Sequence, residues 1–194
     1  MSREKIATAK SKIQELIQDG FVMPSDKSDW LIPIHLVRKP DGRWRFCLDL
    51  RRLNLLTVQD NYPLPKIQTI TDEIRDMRFF TKLDIKDGFF RVPLDKHSQH
   101  KNNFKVGANC YKFVVLPMGY RNAPNIFQRV MENILQGIIE KYCIVYIDGI
   151  LIYSKDITRK RTYNSCTKKT QRIRNGNKLE ESSFCHRRNG ISRV

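Results

Sequence analysis

The sequence predicts an α+β fold. Two stretches, 3–19 and 122–140, carry apolar residues at helical spacing, and two pairs of β-rich runs, within 30–50 and 144–153, flank Gly-containing turns. At 194 residues the chain is one domain or one and a fraction, long enough to bury a real core.

In chain order, residues 3–19 read as an amphipathic helix, with Ile6, Ala9, Ile13, Leu16 and Ile17 on one face and Gly20 as its stop. Residues 30–39 and 44–50 around Pro40-Asp41-Gly42 read as a hairpin. Pro63 and Pro65 punctuate the next stretch, Pro65 suits a first helical turn, and Ile67, Ile70, Ile74 and Met77 mark one face. Residues 79–85 are strand-like, and shorter strand signals recur at 89–94, 103–106 and 110–116. The strongest helix is 122–140: Asn122 suits its cap, Pro124 its first turn, and Phe127, Val130, Met131, Ile134, Leu135 and Ile138 form a core stripe. Runs 144–147 and 150–153 around Asp148-Gly149 give the best hairpin signal in the chain. Beyond Asp156 apolar residues thin out, too few to offset the entropy of ordering the chain. Residues 1–156 are therefore predicted to be the folded body, and 157–194 a disordered basic tail.

Net charge is +16, unevenly spread. Residues 157–194 hold 11 Lys/Arg against 2 Asp/Glu, whereas 1–156 hold 25 against 18. A basic balance points to a polyanionic partner, but more than half of this excess sits in the last fifth of the chain. The absence of an apolar run of 18 residues predicts no membrane span, and the N-terminus lacks the apolar core of a secretory signal. Five scattered cysteines without a CxxC argue against a disulfide framework or zinc knuckle and predict an intracellular setting, cytoplasmic or nuclear.

Two acidic residues attach to strands. Asp84 ends one and Asp148 sits at a hairpin tip. Rigidly held carboxylates share hard cations in phosphoryl-transfer sites, where two Mg²⁺ lie about 4 Å apart. Asp-Gly is equally ordinary turn chemistry, and Asp84 a solvated strand end. Lys39, Arg43, Arg45 and Arg51, with Trp44 among them, either grip phosphates and stack on bases, or Arg43 and Arg45 are the exposed face of a two-faced hairpin with Trp44 and Phe46 buried.

Residues 44–54, Trp-Arg-Phe-Cys-Leu-Asp-Leu-Arg-Arg-Leu-Asn, resemble the fingers motif of reverse transcriptases. Tyr62-Pro63-Leu64-Pro65, Leu83-Asp84-Ile85, Leu116-Pro117-Met118-Gly119-Tyr120, Asn122-Ala123-Pro124 and Phe127-Gln128-Arg129 come next in that family's order. Tyr146-Ile147-Asp148-Gly149 stands where the family has Tyr-X-Asp-Asp. Residues 10–156 look like the polymerase of a Ty3/gypsy-type LTR retrotransposon. The resemblance implies an α+β fingers-and-palm fold without its thumb, the palm an antiparallel sheet packed on helices, with Mg²⁺ as cofactor, a dNTP and a primed RNA or DNA template as partners, and origin in a Gag-Pol-type polyprotein. Asp84 and Asp148 would be the catalytic, metal-binding carboxylates. Arg45, Lys39, Phe89 and Met118 would line the nucleotide site, with Phe89 the gate against a ribose 2′-OH. Tyr146, Gln128, Pro124 and Asn54 would meet template and primer.

Two departures matter. Gly149 replaces the second hairpin aspartate, which implies a preserved fold and a lost ligand, and so a catalytically defective copy. The alternatives are a non-catalytic nucleic-acid-binding remnant and a product without function. The tail also departs. Synonymous codons exist for which residues 158–167, read one base later, give His-Glu-Asn-Glu-His-Ile-Ile-His-Val, like the family's next helix. Residues 188–193 in the same offset give Glu-Met-Glu-Phe-Leu. The expectation is a frame slip near 157–158, which makes the tail's charge an accident of translation.

Overall fold

The computed structural model describes residues 3–26, 29–85, 87–139 and 141–156; the predicted tail, 157–194, lies outside the described residues. The chain forms α1 (Arg3–Gln18), β1 (Val22–Pro24), β2 (Ile34–Arg38), β3 (Trp44–Leu48), α2 (Arg51–Leu56), α3 (Ile67–Glu73), β4 (Phe79–Asp84), β5 (Asn103–Val106), β6 (Asn109–Phe113), α4 (Ala123–Ile134), β7 (Cys143–Tyr146) and β8 (Gly149–Ser154). They fall into two compact units, each assembled from two separated stretches: the described residues up to Gln59 with Phe89–Ala123, and Asp60–Gly88 with the described residues from Pro124 onward.

In the first unit, α1 buries Ala9, Ile13 and Leu16, the expected face. It stops where Gly20 turns left-handed at φ +74° and the Phe21 N–H donates to Leu16 O at 2.9 Å, a glycine C-cap. β2 and β3 pair antiparallel from Ile34↔Leu48 to Arg38↔Trp44. Gly42 closes their turn at φ +81°, its N–H donating to Lys39 O at 2.9 Å. A second sheet has the order β1-β6-β5. Phe104, wholly buried, sits with its ring centroid 5.4–5.8 Å from those of Phe46, Tyr111 and Phe113. Such aromatic clusters anchor small cores. Residues 89–94 do not form the expected strand. Gly88–Arg91 is a 3₁₀ turn, and only Pro93 bridges to Val115. The proline, which cannot donate to a ladder, limits pairing there.

One ion pair in this unit contributes to its acid sensitivity. Asp49 accepts from Arg51 Nε at 2.8 Å and Nη2 at 2.6 Å, and this bidentate guanidinium, foremost, holds its carboxyl far below the usual range. A carboxylate whose folded pKa is depressed contributes stability above its unfolded pKa. That contribution fades as pH falls below about 4. Asp49→Asn is expected to flatten the acid limb of urea-midpoint against pH below 4 and to leave the neutral slope unchanged. An identical acid limb in parent and variant would contradict this linkage.

The second unit holds the sheet β4-β8-β7, antiparallel throughout. Its core draws Leu83, Ile150 and Ile152 from the sheet and Phe127, Met131 and Leu135 from the α4 segment. α4 ends at Ile134, six residues before its predicted limit. After it, the Ile138 N–H donates to Leu135 O at 2.9 Å and Gly137 adopts φ +82°, a turn that a continuing helix forbids. α3 also stops early, at Glu73, and Ile67, expected on its inner face, is exposed. Among the described residues, no helix is long and apolar enough to cross a membrane.

Candidate active site

The two carboxylates singled out by sequence stand on adjacent backbone in the second unit, Asp84 at the end of β4 and Asp148 in the turn that leads into β8. Asp84 closes β4 directly opposite Gly149, the first residue of β8. Cα atoms of such pairs lie about 5 Å apart. The Ile85 N–H donates to Asp148 O at 3.2 Å, so backbone hydrogen bonding fastens Asp148 beside the end of β4. The Asp84 carboxylate is half exposed, with Lys82 Nζ 3.1 Å from its Oδ1. Asp148 is exposed. Sequence reading missed Lys82, whose position two residues before Asp84 puts it on the same face of β4.

The turn differs from the expected Asp-Gly pair. Tyr146 pairs with Gly149, so its two central residues are Ile147 and Asp148. Ile147 takes φ +57° and Asp148 stays negative, the sign pattern of a type II′ turn. A β-branched residue in that region is strained, by about 1–3 kcal/mol. Gly149 needs no left-handed freedom. A Cβ built on it would meet Tyr146 O at 3.6 Å and Lys82 Cε at 3.8 Å, ordinary contacts. Glycine at 149 is thus not there to make the turn.

Gln128, which the resemblance places at the template, is wholly buried, with its amide turned to groups of this chain. Its Nε2 donates to Glu132 Oε1 at 2.7 Å and Val145 O at 3.0 Å, and its Oε1 accepts the Ile147 N–H at 3.3 Å. Glu132 in turn accepts the Tyr62 hydroxyl, a bond that raises the Tyr62 pKa above its ordinary value. Arg129 lies over the Tyr62 ring, 4.6 Å from its centroid, and pairs with Asp60 at 2.7 Å. The signal in the sequence was a polar pair, Gln128 and Glu132, one turn apart within an apolar stripe. Tyr146, at the end of β7, is 40% exposed and open to a partner. Pro124 is half-buried in the first turn of α4.

The remaining candidates belong to the first unit. Arg45 is exposed on β3 between half-buried Trp44 and Phe46, the two-faced alternation expected. Arg43 is held by Asp41 through Nε at 2.9 Å and Nη2 at 2.7 Å. Lys39 is half-buried at the turn. Phe89 is half-buried in the 3₁₀ turn, and Met118 is exposed. Asn54 spends its amide locally: Nδ2 donates to Gly119 O at 2.9 Å, and Oδ1 accepts the Arg121 N–H at 2.8 Å. It staples the 116–121 loop, where Gly119 stands at φ +88°.

Among the described residues, no three His, Cys, Asp or Glu side chains gather as a metal centre. Asp84 and Asp148 together offer two hard oxygen donors of the kind Mg²⁺ takes, since it commonly binds through one or two carboxylates and keeps several waters.

The family described as "Reverse transcriptase (RNA-dependent DNA polymerase)" matches residues 37–182, a range that runs past Asp156. The retrovirus-related Pol polyprotein from transposon opus of Drosophila melanogaster is 39% identical over 150 residues, 75% of this chain and 15% of that protein. That from transposon gypsy of the same species is 36% identical over 152 residues, again 75% and 15%. The foamy viral protease-reverse transcriptase in complex with an RNA/DNA hybrid shares the fold, with TM-score 0.77 and 22% identity over 89% of this chain and 23% of that one. The chain spans about 15% of the length of the Pol polyproteins it matches.

Proposed function

This chain belongs to the reverse transcriptase family, and from that premise we propose that it is a fingers-and-palm segment of a retrotransposon Pol polyprotein whose catalytic site has lost a ligand. The reaction such a segment serves adds a nucleotide to a primer 3′-OH on an RNA or DNA template. Asp84 and Asp148 are the carboxylates that would hold Mg²⁺, and Lys82 neutralises part of their charge when no cation is bound. Mg²⁺, when bound, would offset charge on the phosphates and orient the attacking oxygen. Arg45 and Lys39 supply cationic contacts to an incoming triphosphate. Phe89 and Met118 border the nucleotide, with Phe89 the gate against a 2′-OH. Tyr146 and Pro124 face primer and template. Asn54 contributes by holding the 116–121 loop.

Gly149 carries the reading of a defective copy. It stands in register with Asp84, where a carboxylate would complete the donor set, and the backbone there would accept one. The same observation favours a non-catalytic nucleic-acid-binding remnant as the second reading. Filter binding and primer extension on one preparation separate the two. Extension is expected to be undetectable with Mg²⁺ or Mn²⁺, and retained binding to a primed template selects the remnant. Robust extension by the unaltered chain would sink the lost-ligand reading.

A further inference from the structure

We infer that Gln128 is a positioning residue for Asp148: its side-chain amide holds the hairpin turn in the strained conformation that presents the carboxylate. The inference rests on reading Asp148 as a functional carboxylate. Its physical content is the turn geometry, which stands or falls separately.

Among the described residues, β7 is an edge of the sheet β4-β8-β7, and the backbone groups on its outer side have no neighbouring strand there. Val145 O and Ile147 N are two such groups, on either side of Tyr146. Gln128 meets both, donating to the first at 3.0 Å and accepting from the second at 3.3 Å. One carboxamide thus takes the place that a peptide unit of a further strand would occupy. Its orientation is fixed, because the remaining Nε2 hydrogen goes to the Glu132 carboxylate at 2.7 Å, which accepts only from a donor. Tyr62 binds the other Glu132 oxygen, so the amide cannot rotate without breaking a half-buried chain of hydrogen bonds.

The strain falls beside this clamp. Ile147 holds φ +57°, which its branched side chain disfavours, and its own N–H is the group that Gln128 Oε1 accepts. With the clamp removed, extended conformations of Ile147 become accessible and the direction of Asp148 is no longer fixed. Gln128 is fully buried and touches no reacting group, so it acts through the hairpin.

Nuclear magnetic resonance on the full chain tests this. The three-bond amide–Hα coupling of Ile147 reports its φ, and hydrogen exchange reports its N–H bond. In the parent, Ile147 is expected to show a left-handed coupling and an amide protected at least about tenfold over a free turn amide. An unprotected Ile147 amide in the parent would overturn the inference before any variant is made. Gln128→Met keeps the volume without the amide. It should shift the coupling towards extended values and abolish Ile147 protection, with the β8 amides of Ile150 and Ile152 unaffected. Ile147→Gly removes the steric preference, so the loss of exchange protection at Gly149, which pairs with Tyr146 across the turn, caused by Gln128→Met should be smaller in that background. Equal losses in both backgrounds, or an unchanged coupling in Gln128→Met, would show that Gln128 serves packing alone. Whether Asp148 then binds Mn²⁺ is read by a separate titration, so a failed metal site leaves the result on the turn intact.

Discussion

Gly149→Asp is expected to raise the affinity of the chain for Mn²⁺ by at least about tenfold, the lower end of what even indirect partners of a metal contribute. The added carboxylate would stand across from Asp84 and next to Asp148, making three hard donors of two. Sterically the substitution is mild, since the nearest atoms to a new Cβ are at 3.6 and 3.8 Å and neither contact is tight. Nor is the backbone there left-handed. A like charge opposite Asp84 costs up to about 1 kcal/mol without a cation. Lys82, already 3.1 Å from Asp84 Oδ1, offsets part of it. Stability should therefore change by less than about 1 kcal/mol while cation affinity rises. Isothermal titration of parent and variant with Mn²⁺ measures the first quantity and urea unfolding the second. Equal Mn²⁺ affinity in the two chains would mean that position 149 does not face the cation.

Phe127→Ala is expected to cost about 3–5 kcal/mol, a large share of the 5–15 kcal/mol that holds an ordinary domain. Phe127 is wholly buried, and its ring lies where a Cβ on Gly88 would sit: 3.0 Å from Cζ and 3.3 Å from Cε2. The ring fills the space that the missing side chain leaves, just beyond the strand bearing Asp84. The converse substitution, Gly88→Ala, should cost about 1–3 kcal/mol by overpacking. Combined with Phe127→Leu, it should cost less than the sum, because the smaller side chain vacates the contested volume. Urea midpoints of the variants decide this. A Phe127→Ala loss under about 1 kcal/mol would show that the ring is not part of the core.

The range of the forces involved decided which elements were legible in the sequence. Period and punctuation gave α1, the β2–β3 hairpin, β4, β5, β6 and the β7–β8 hairpin, because each announces itself over a few neighbouring residues. β1 went unseen: Val22–Pro24 is three residues long, and its partner is β6, remote in the chain. α4 was drawn too long because apolar spacing continues through Leu135 and Ile138, and the stop at Gly137 is one glycine inside that pattern. The turn was misjudged by one residue. Asp-Gly is the commoner turn pair, but the Tyr146↔Gly149 register moves the strain onto Ile147. Motifs led directly to Asp84 and Asp148. The internal hydrogen bonds of Gln128 and Asn54 were not legible, since a polar residue within a motif looks the same whether it faces a ligand or its own backbone. Only burial, and the location of the acceptors, separates the two.

The interleaving of the two units bears on how the chain is made. Val22 pairs with Phe113, so the first sheet cannot close until more than ninety further residues have been synthesised. Phe79 likewise waits for Ser154. At roughly 5–20 residues per second, each early strand spends several seconds or longer without its partner. Among the described strands, only the β2–β3 and β7–β8 hairpins and the β5–β6 pair close locally. Folding should therefore be slow and late, governed by long-range closure. Exposed Leu55, Leu56 and Val58 add to the surface open to a chaperone, or to a neighbouring nascent chain, during that interval.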